Sequence, residues 1–383
     1  MKNALVRDTF NEKIKRLNLA YIAIICLLGA IGVMLLYSAG HGNWSPYAEK
    51  HLIRFSMGVC LAMVIAFLPL RLIFKLSYVA YFAAVGLLLL VPFLGVSAGG
   101  ATRWLDIGFM RLQPSEIAKI AIILAAARFY HQRQVVTTKS FQAVVFMAVG
   151  ILIPALLTAI QPDLGTSLLL LMVGAGVMFF AGVPWGYFAG AFGAGLVFIP
   201  IAWQFLLHDY QKGRVLTFLD PSRDPLGAGY HIIQSKIAIG SAGFWGKGFM
   251  QGSQSQLQFL PEKHTDFIFT LMTEDFGMAG ALTVIGLYLA LILMGVYMAI
   301  RNLNQYCSLV IAGVTTTLFV YAFINMAMVM GLMPVVGLPL PFLSYGGTSL
   351  LTLMVSLGLV LNMDLNRYNH LPGASGLSSR RHF

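Results

Sequence analysis

Residues 254–277 read QSQLQFLPEKHTDFIFTLMTEDFG, a polar stretch broken by Pro261 that runs directly into an apolar segment continuing to residue 299. About 20 apolar residues cross a bilayer as a helix. The run 266–299 is longer than that, so tilt or an exposed first turn is expected. At the junction stands Asp266, preceded by His264 and Thr265 and followed two turns later by Glu274 and Asp275. Carboxylates on a membrane-grade helix are costly and tend to mark function. Asp266, Thr270 and Glu274 are spaced i, i+4, i+8, which predicts one helix face with Glu274 about 12 Å deeper. Such a face needs partners or water, and therefore a polar cavity open at one membrane surface.

The rest of the chain repeats this pattern. It has 383 residues, 58% hydrophobic and 10% charged, where a soluble domain has about a quarter charged. Its mean hydropathy is +0.80. A membrane barrel would alternate apolar and polar residues in segments of about ten, a pattern absent here. In lipid the remaining option is the helix, whose backbone bonds are satisfied within the segment. The predicted fold is an all-α polytopic membrane protein, one domain over 1–383. Ten spans are read at about 19–38, 52–69, 76–95, 115–130, 141–160, 164–182, 185–206, 266–299, 307–330 and 348–363. The first run exceeds a signal-peptide core and reads as a span that stays. One long hydrophilic connection, 207–265, separates spans seven and eight. Tails are read at 1–18 and 364–383, the end of the second as disordered.

Ten spans put both termini on one side. That side carries 14 Lys/Arg against 3 Asp/Glu, and the other carries 11 of each. The positive-inside rule then places both termini in the cytoplasm. The net charge of +11 is accounted for by topology, which removes nucleic acid as a partner. Cys26, Cys60 and Cys307, all in or beside apolar runs, read as packing residues with no disulfide framework or metal spacing. His208, His231 and His264 likewise lack metal-motif spacing.

The unusual polar residues gather on the outer side. Thr265 and Asp266 could merely cap a helix. Glu116 and Lys119, at i, i+3, form either an internal salt bridge or a cationic site beside a carboxylate. Arg103 and Arg111, in the Gly-rich loop 96–114, could hold a phosphate or pyrophosphate or contact headgroups. Asp163 in QPDLGTS suits a helix N-cap. Ser344 opens a glycine turn, SYGGTS, whose N–H groups could face an anion. GYHIIQSKIAIGSAGFWGKGF, 229–249, carries apolar residues at helical spacing and is expected in the interface or re-entering the membrane. These residues fit a membrane enzyme acting on a lipid-linked substrate, and also a transporter, which would favour midplane ions and broken helices in both halves.

Six stretches, GATRWLDIG, QPSEIAK, QPDLGTS, DPLGAGYHIIQSKIAIGSAG, GSQSQLQFLPEKHTDFIF and PLPFLSYGGTS, occur in that order along nearly the whole chain. Together they resemble the SEDS family, the shape, elongation, division and sporulation proteins. GSQSQLQFLPEKHTDFIF is more similar to the elongation branch (RodA) than to the division branch (FtsW). Ala242 stands where the family often has Gly, and TEDFG where EELG is common.

The resemblance implies a peptidoglycan glycosyltransferase polymerising lipid II at the outer face of the bacterial cytoplasmic membrane, with a class B penicillin-binding protein and the elongation machinery as partners. The family's essential aspartate falls on Asp266, and Glu116, Lys119 and Asp163 match positions in or near its central cavity. Asp266 is then expected as general base, undecaprenyl pyrophosphate as leaving group, and Arg103, Lys119 or a divalent cation (Mg or Mn) as its counter-charge. Glu274 and Ser344 join the expected substrate-binding set. A lipid II flippase, a division-type polymerase and a scaffold recruiting the penicillin-binding protein are the alternatives.

Overall fold

The computed structural model describes residues 10–98, 101–106, 108, 111–133, 140–205, 207, 209–224, 227–256, 259, 263–369 and 371–372. The expected tail residues Lys2, Arg7, Arg380 and Arg381, as well as Lys139, His208 and the segment 260–262, lie outside these.

After a short helix α1 (Phe10–Lys15) come α2 (Leu19–Ala39), α3 (Ala48–Ala66) and α4 (Leu70–Leu94). A small sheet follows, β1 (Gly95–Ala98), β2 (Ala101–Asp106) and β3 (Arg111–Leu112), then α5 (Pro114–His131), α6 (Phe141–Ile160), α7 (Leu164–Phe180) and α8 (Trp185–Phe205). The long connection folds into α9 (Asp209–Leu219), α10 (Ala228–Ser241) and α11 (Ser253–Gln256). The chain ends with α12 (Ile268–Arg301), α13 (Gln305–Val329) and α14 (Thr348–Leu365). Helix starts are locally encoded: Asn18, Ser140, Asp163 and Asn304 each accept a first-turn N–H with the side chain, and Pro114 occupies the first turn of α5.

Among the described residues, seven helices are long and apolar enough to cross a membrane. Helix α7, at 17 residues, is slightly short, and α3 and α5 each carry three charged residues. Helices α5 and α13 form the buried centre, packed on each other and on α7; α3 pairs with α14, α4 with α5, and α12 with α13. Helix α8 buries none of its residues.

Several expectations need correction. The membrane-type helices are as expected, but 96–114 is not a plain loop: it carries a small three-stranded antiparallel sheet, β1-β2-β3. The second span begins at Ala48, not 52, so Glu49, Lys50, His51 and Arg54 ride on helix. Cys307 is buried, but Cys26 and Cys60 face the outside of the bundle. Most consequential, α12 is broken at Gly277 (φ 67°, ψ −161°), a conformation open to glycine. There the 243–248 loop takes over the helix's bonding. Lys247 N–H donates to Glu274 O, Gly248 N–H to Asp275 O, Met278 N–H to Gly243 O and Ala279 N–H to Phe244 O, at 3.0–3.1 Å. A Cβ on Gly277 would sit 2.3 Å from Gly246 N. Asp266 precedes the helix, in the turn 263–267, so the i, i+4, i+8 face does not include it.

Candidate active site

A cavity with about 520 Å³ of empty volume, part of it open to the exterior, lies between α5, α13, α14 and the proline-rich stretch 339–344. On α5, Glu116 and Lys119 meet as their i, i+3 spacing predicts, Nζ to Oε1 at 2.6 Å, with side chains 8% and 5% exposed. Two further residues close the network. The Tyr321 hydroxyl touches Lys119 Nζ and donates to Glu116 Oε1 at 3.0 Å, and Thr352 Oγ1 donates to Glu116 Oε2 at 2.8 Å. Lys119 Nζ also lies 4.4 Å from the centre of the Tyr321 ring. A buried ion pair needs such extra bonds to offset its desolvation.

Next to this network, Asp163 caps α7, accepting from Thr166 N–H at 3.2 Å, and pairs with Arg103 Nε at 3.7 Å. The Arg103 guanidinium, carried on β2, also donates to Pro162 O. The Asp163 carboxylate is within electrostatic reach of Lys119 and Tyr321. Arg103, Glu116, Lys119 and Asp163 therefore belong to one charged neighbourhood.

Asp266 is tied through its backbone to elements that also build the cavity. Three successive carbonyls of its turn accept from them: His264 O from Tyr345 N–H at 2.8 Å, Thr265 O from Ser344 Oγ at 2.7 Å, and Asp266 O from Asn325 Nδ2 at 2.9 Å; of these donors Ser344 lines the cavity. Ser344 lines the cavity, but its hydroxyl joins Thr265 O to Leu340 N–H, so it serves as a clamp. Gly337 backs the carboxylate; a Cβ there would lie 3.5 Å from Asp266 Oδ2. The Asp266 residue is half-buried.

Glu274 departs from expectation. It is fully buried and accepts from Lys247 Nζ at 2.8 Å and from the N–H groups of Gln254 and Ser255 at 2.9 Å. These partners bind it to the 247–255 segment, away from the cavity lining. Asp275 accepts from Ser38 Oγ at 2.7 Å. His264 stacks on Tyr47, ring centres 4.4 Å apart.

Sequence reasoning missed Tyr321, Asn325 and Thr352. A signal existed: Thr317, Tyr321 and Asn325 recur at i, i+4, i+8 in an apolar span, and Ser349, Thr352 and Ser356 form a similar stripe on α14. It also missed Arg54, whose guanidinium stacks 5.1 Å from the centre of the Tyr345 ring. Among the described residues no three His, Cys, Asp or Glu side chains gather into a metal-ligand set.

Residues 18–369 match the family model for FtsW, RodA and SpoVE, described as cell cycle protein. The peptidoglycan glycosyltransferase MrdB of Escherichia coli K12 is 43% identical over 361 residues, covering 94% of this chain and 96% of that protein. A solved peptidoglycan synthase complex, described as coordinating polymerization and crosslinking, contains a chain similar at TM-score 0.80 and 31% identity, covering 92% of this chain and 99% of that one. The rod shape determining protein RodA of Thermus thermophilus is similar at TM-score 0.70 and 27% identity, covering 92% and 98%.

Proposed function

The chain belongs to the FtsW/RodA/SpoVE family, on its RodA branch, and from that membership we propose that it polymerises lipid II, with Asp266 as the base. It is a multi-pass membrane protein and a peptidoglycan glycosyltransferase. In our reading its ten helices of membrane position all cross the bacterial cytoplasmic membrane, with both termini inside. The cavity then opens outward, where the saccharides of lipid II are exposed.

The GlcNAc 4-hydroxyl of the acceptor attacks the anomeric carbon of the donor MurNAc. The new C–O bond forms as the bond to pyrophosphate breaks, and that electron pair leaves with undecaprenyl pyrophosphate. Asp266 takes the hydroxyl proton as attack proceeds. A single displacement turns an α-linked donor into a β-1,4 glycan. Lys119 and Arg103 supply positive charge to the leaving pyrophosphate, and their pairing with Glu116 and Asp163 holds them in place beforehand. With no protein cage gathered among the described residues, a divalent cation, Mg or Mn, would take its ligands mainly from the substrate's phosphates. The likeness to a synthase complex that couples polymerization to crosslinking supports a class B penicillin-binding protein as the partner.

The observation carrying this reading is the triple clamp that ties the backbone of the Asp266 turn to Ser344, Tyr345 and Asn325, the first of which also lines the Lys119 cavity. The test is polymerisation of fluorescent lipid II by purified protein. Asp266→Ala is expected to abolish the glycan ladder while thermal unfolding stays near wild type. A near-normal ladder from that variant would overturn the role of Asp266. Wild-type protein that makes no polymer yet flips lipid II in liposomes would favour a transporter. An EDTA arm reads the cation requirement.

A further inference from the structure

The Asp266 turn is held from two directions. The three carbonyl clamps tie it to Ser344, Tyr345 and Asn325. Lys263, its first residue, reaches the opposite way. It is buried, and its Nζ donates to Ser255 O at 2.6 Å and lies 3.1 Å from His41 Nε2. Three elements converge on this ammonium: the end of α2 (Ser38, His41), the outer loop (Ser255), and the first segment of α12 (Glu274, Asp275). Burial lowers the pKa of Lys263, while Asp275 and then Glu274 oppose that shift. The loop it grips is itself built on Glu274, through the N–H groups of Gln254 and Ser255 and the ammonium of Lys247. Lys247 also donates to Ser253 Oγ at 2.9 Å.

The connection is therefore continuous: Glu274 fixes the 253–255 backbone, Ser255 O fixes Lys263, and Lys263 lies three residues before Asp266. We propose that Lys263 is a positioning residue for the glycosyl transfer, setting the Asp266 carboxylate according to the seating of the 247–255 loop, with Glu274 acting through it. This rests on the reading of Asp266 as base. Lys263 has no part in binding saccharide or pyrophosphate. Its loss leaves substrate affinity in place and displaces the base. A misplacement of about 1 Å near the reacting atoms costs on the order of a hundredfold in rate.

The experiment uses the full-length protein and fluorescent lipid II, with kcat and KM determined separately for Lys263→Met, Lys263→Arg, Glu274→Gln and the Lys263→Met/Glu274→Gln double variant. Expected for Lys263→Met is a kcat about 10- to 100-fold lower at nearly unchanged KM. Lys263→Arg, which can still donate to Ser255 O, recovers most of the loss. Glu274→Gln lowers kcat alone, and the double variant is no worse than Lys263→Met, because both act along one path. Wild-type kcat in Lys263→Met, a loss that appears in KM, or losses that multiply in the double variant would each overturn the proposal. If Lys263→Met does not fold, Glu274→Gln decides: unaltered kcat there overturns it equally. Asp266→Ala is run alongside. Activity in that variant would sink the reading of the base, whereas wild-type turnover in Lys263→Met sinks this inference alone.

Discussion

Replacing Lys119 by Met removes one partner of an ion pair whose side chains are 5% and 8% exposed. Glu116 would keep two hydroxyl donors, Tyr321 at 3.0 Å and Thr352 at 2.8 Å, but its largely buried charge would lose its paired counter-ion. Stranding one member of a buried pair costs about 3–5 kcal/mol, whereas removing both charges together is often close to neutral. The double variant Glu116→Gln/Lys119→Met leaves no lone charge, and its amide can accept from one hydroxyl through Oε1 while donating to the other through Nε2, so its cost should fall to about 1 kcal/mol or less. At roughly 2 °C per kcal/mol for a chain of this size, Lys119→Met should unfold about 6–10 °C below wild type and the double variant within about 2 °C. Thermal unfolding in detergent measures both, and polymerisation of lipid II is assayed beside it. The reasoning fails if Lys119→Met is no less stable than the double variant, since the pair would then carry no coupling. Activity separates the two readings of this pair: a double variant that is stable but inactive assigns Lys119 to the chemistry, and a stable, active one assigns the pair to packing.

Two further outcomes follow from the geometry. Gly277→Ala places a Cβ 2.3 Å from Gly246 N and 2.5 Å from Phe244 O, at a φ of 67°, and should destabilise the loop–helix junction by at least about 1–3 kcal/mol. Limited proteolysis would show this as faster cleavage in 243–255, and unchanged cleavage would argue against the junction. Asn362 is fully buried and donates to Ile65 O, Ala66 O and Leu68 O at 2.7–3.0 Å, holding the α3–α4 corner to α14. Asn362→Leu should cost about 1–3 kcal/mol for each carbonyl left dry, read as a lower unfolding temperature with no specific effect on KM.

The site was legible to different depths. Asp266 stood out because a carboxylate beside a long apolar run has few inexpensive explanations. Glu116 and Lys119 were paired by local spacing, and the structure brings them together. Glu274 looked equally conspicuous on the same grounds, but its partners, Lys247, Gln254 and Ser255, lie in a loop whose path no local pattern specifies. Arg103 and Asp163 were each flagged, yet their pairing spans 60 residues and depends on how β2 meets the start of α7. Tyr321, Asn325 and Thr352 were passed over because hydroxyls and amides are common enough in membrane helices to draw no notice singly.

From the chain of residues alone came the helical spans, the sidedness of the charge, and an acid where the eighth apolar run begins. Those properties are local, because lipid obliges each segment to satisfy its own backbone and the basic loops record which side they stayed on. Which polar side chains face one another was settled by packing. The break at Gly277 lets the 243–248 loop bond into α12, and this turns Glu274 toward the 247–255 segment while Ser344 and Asn325 hold the backbone of the Asp266 turn. Contacts between residues dozens to hundreds of positions apart exist only once the helices have taken their places.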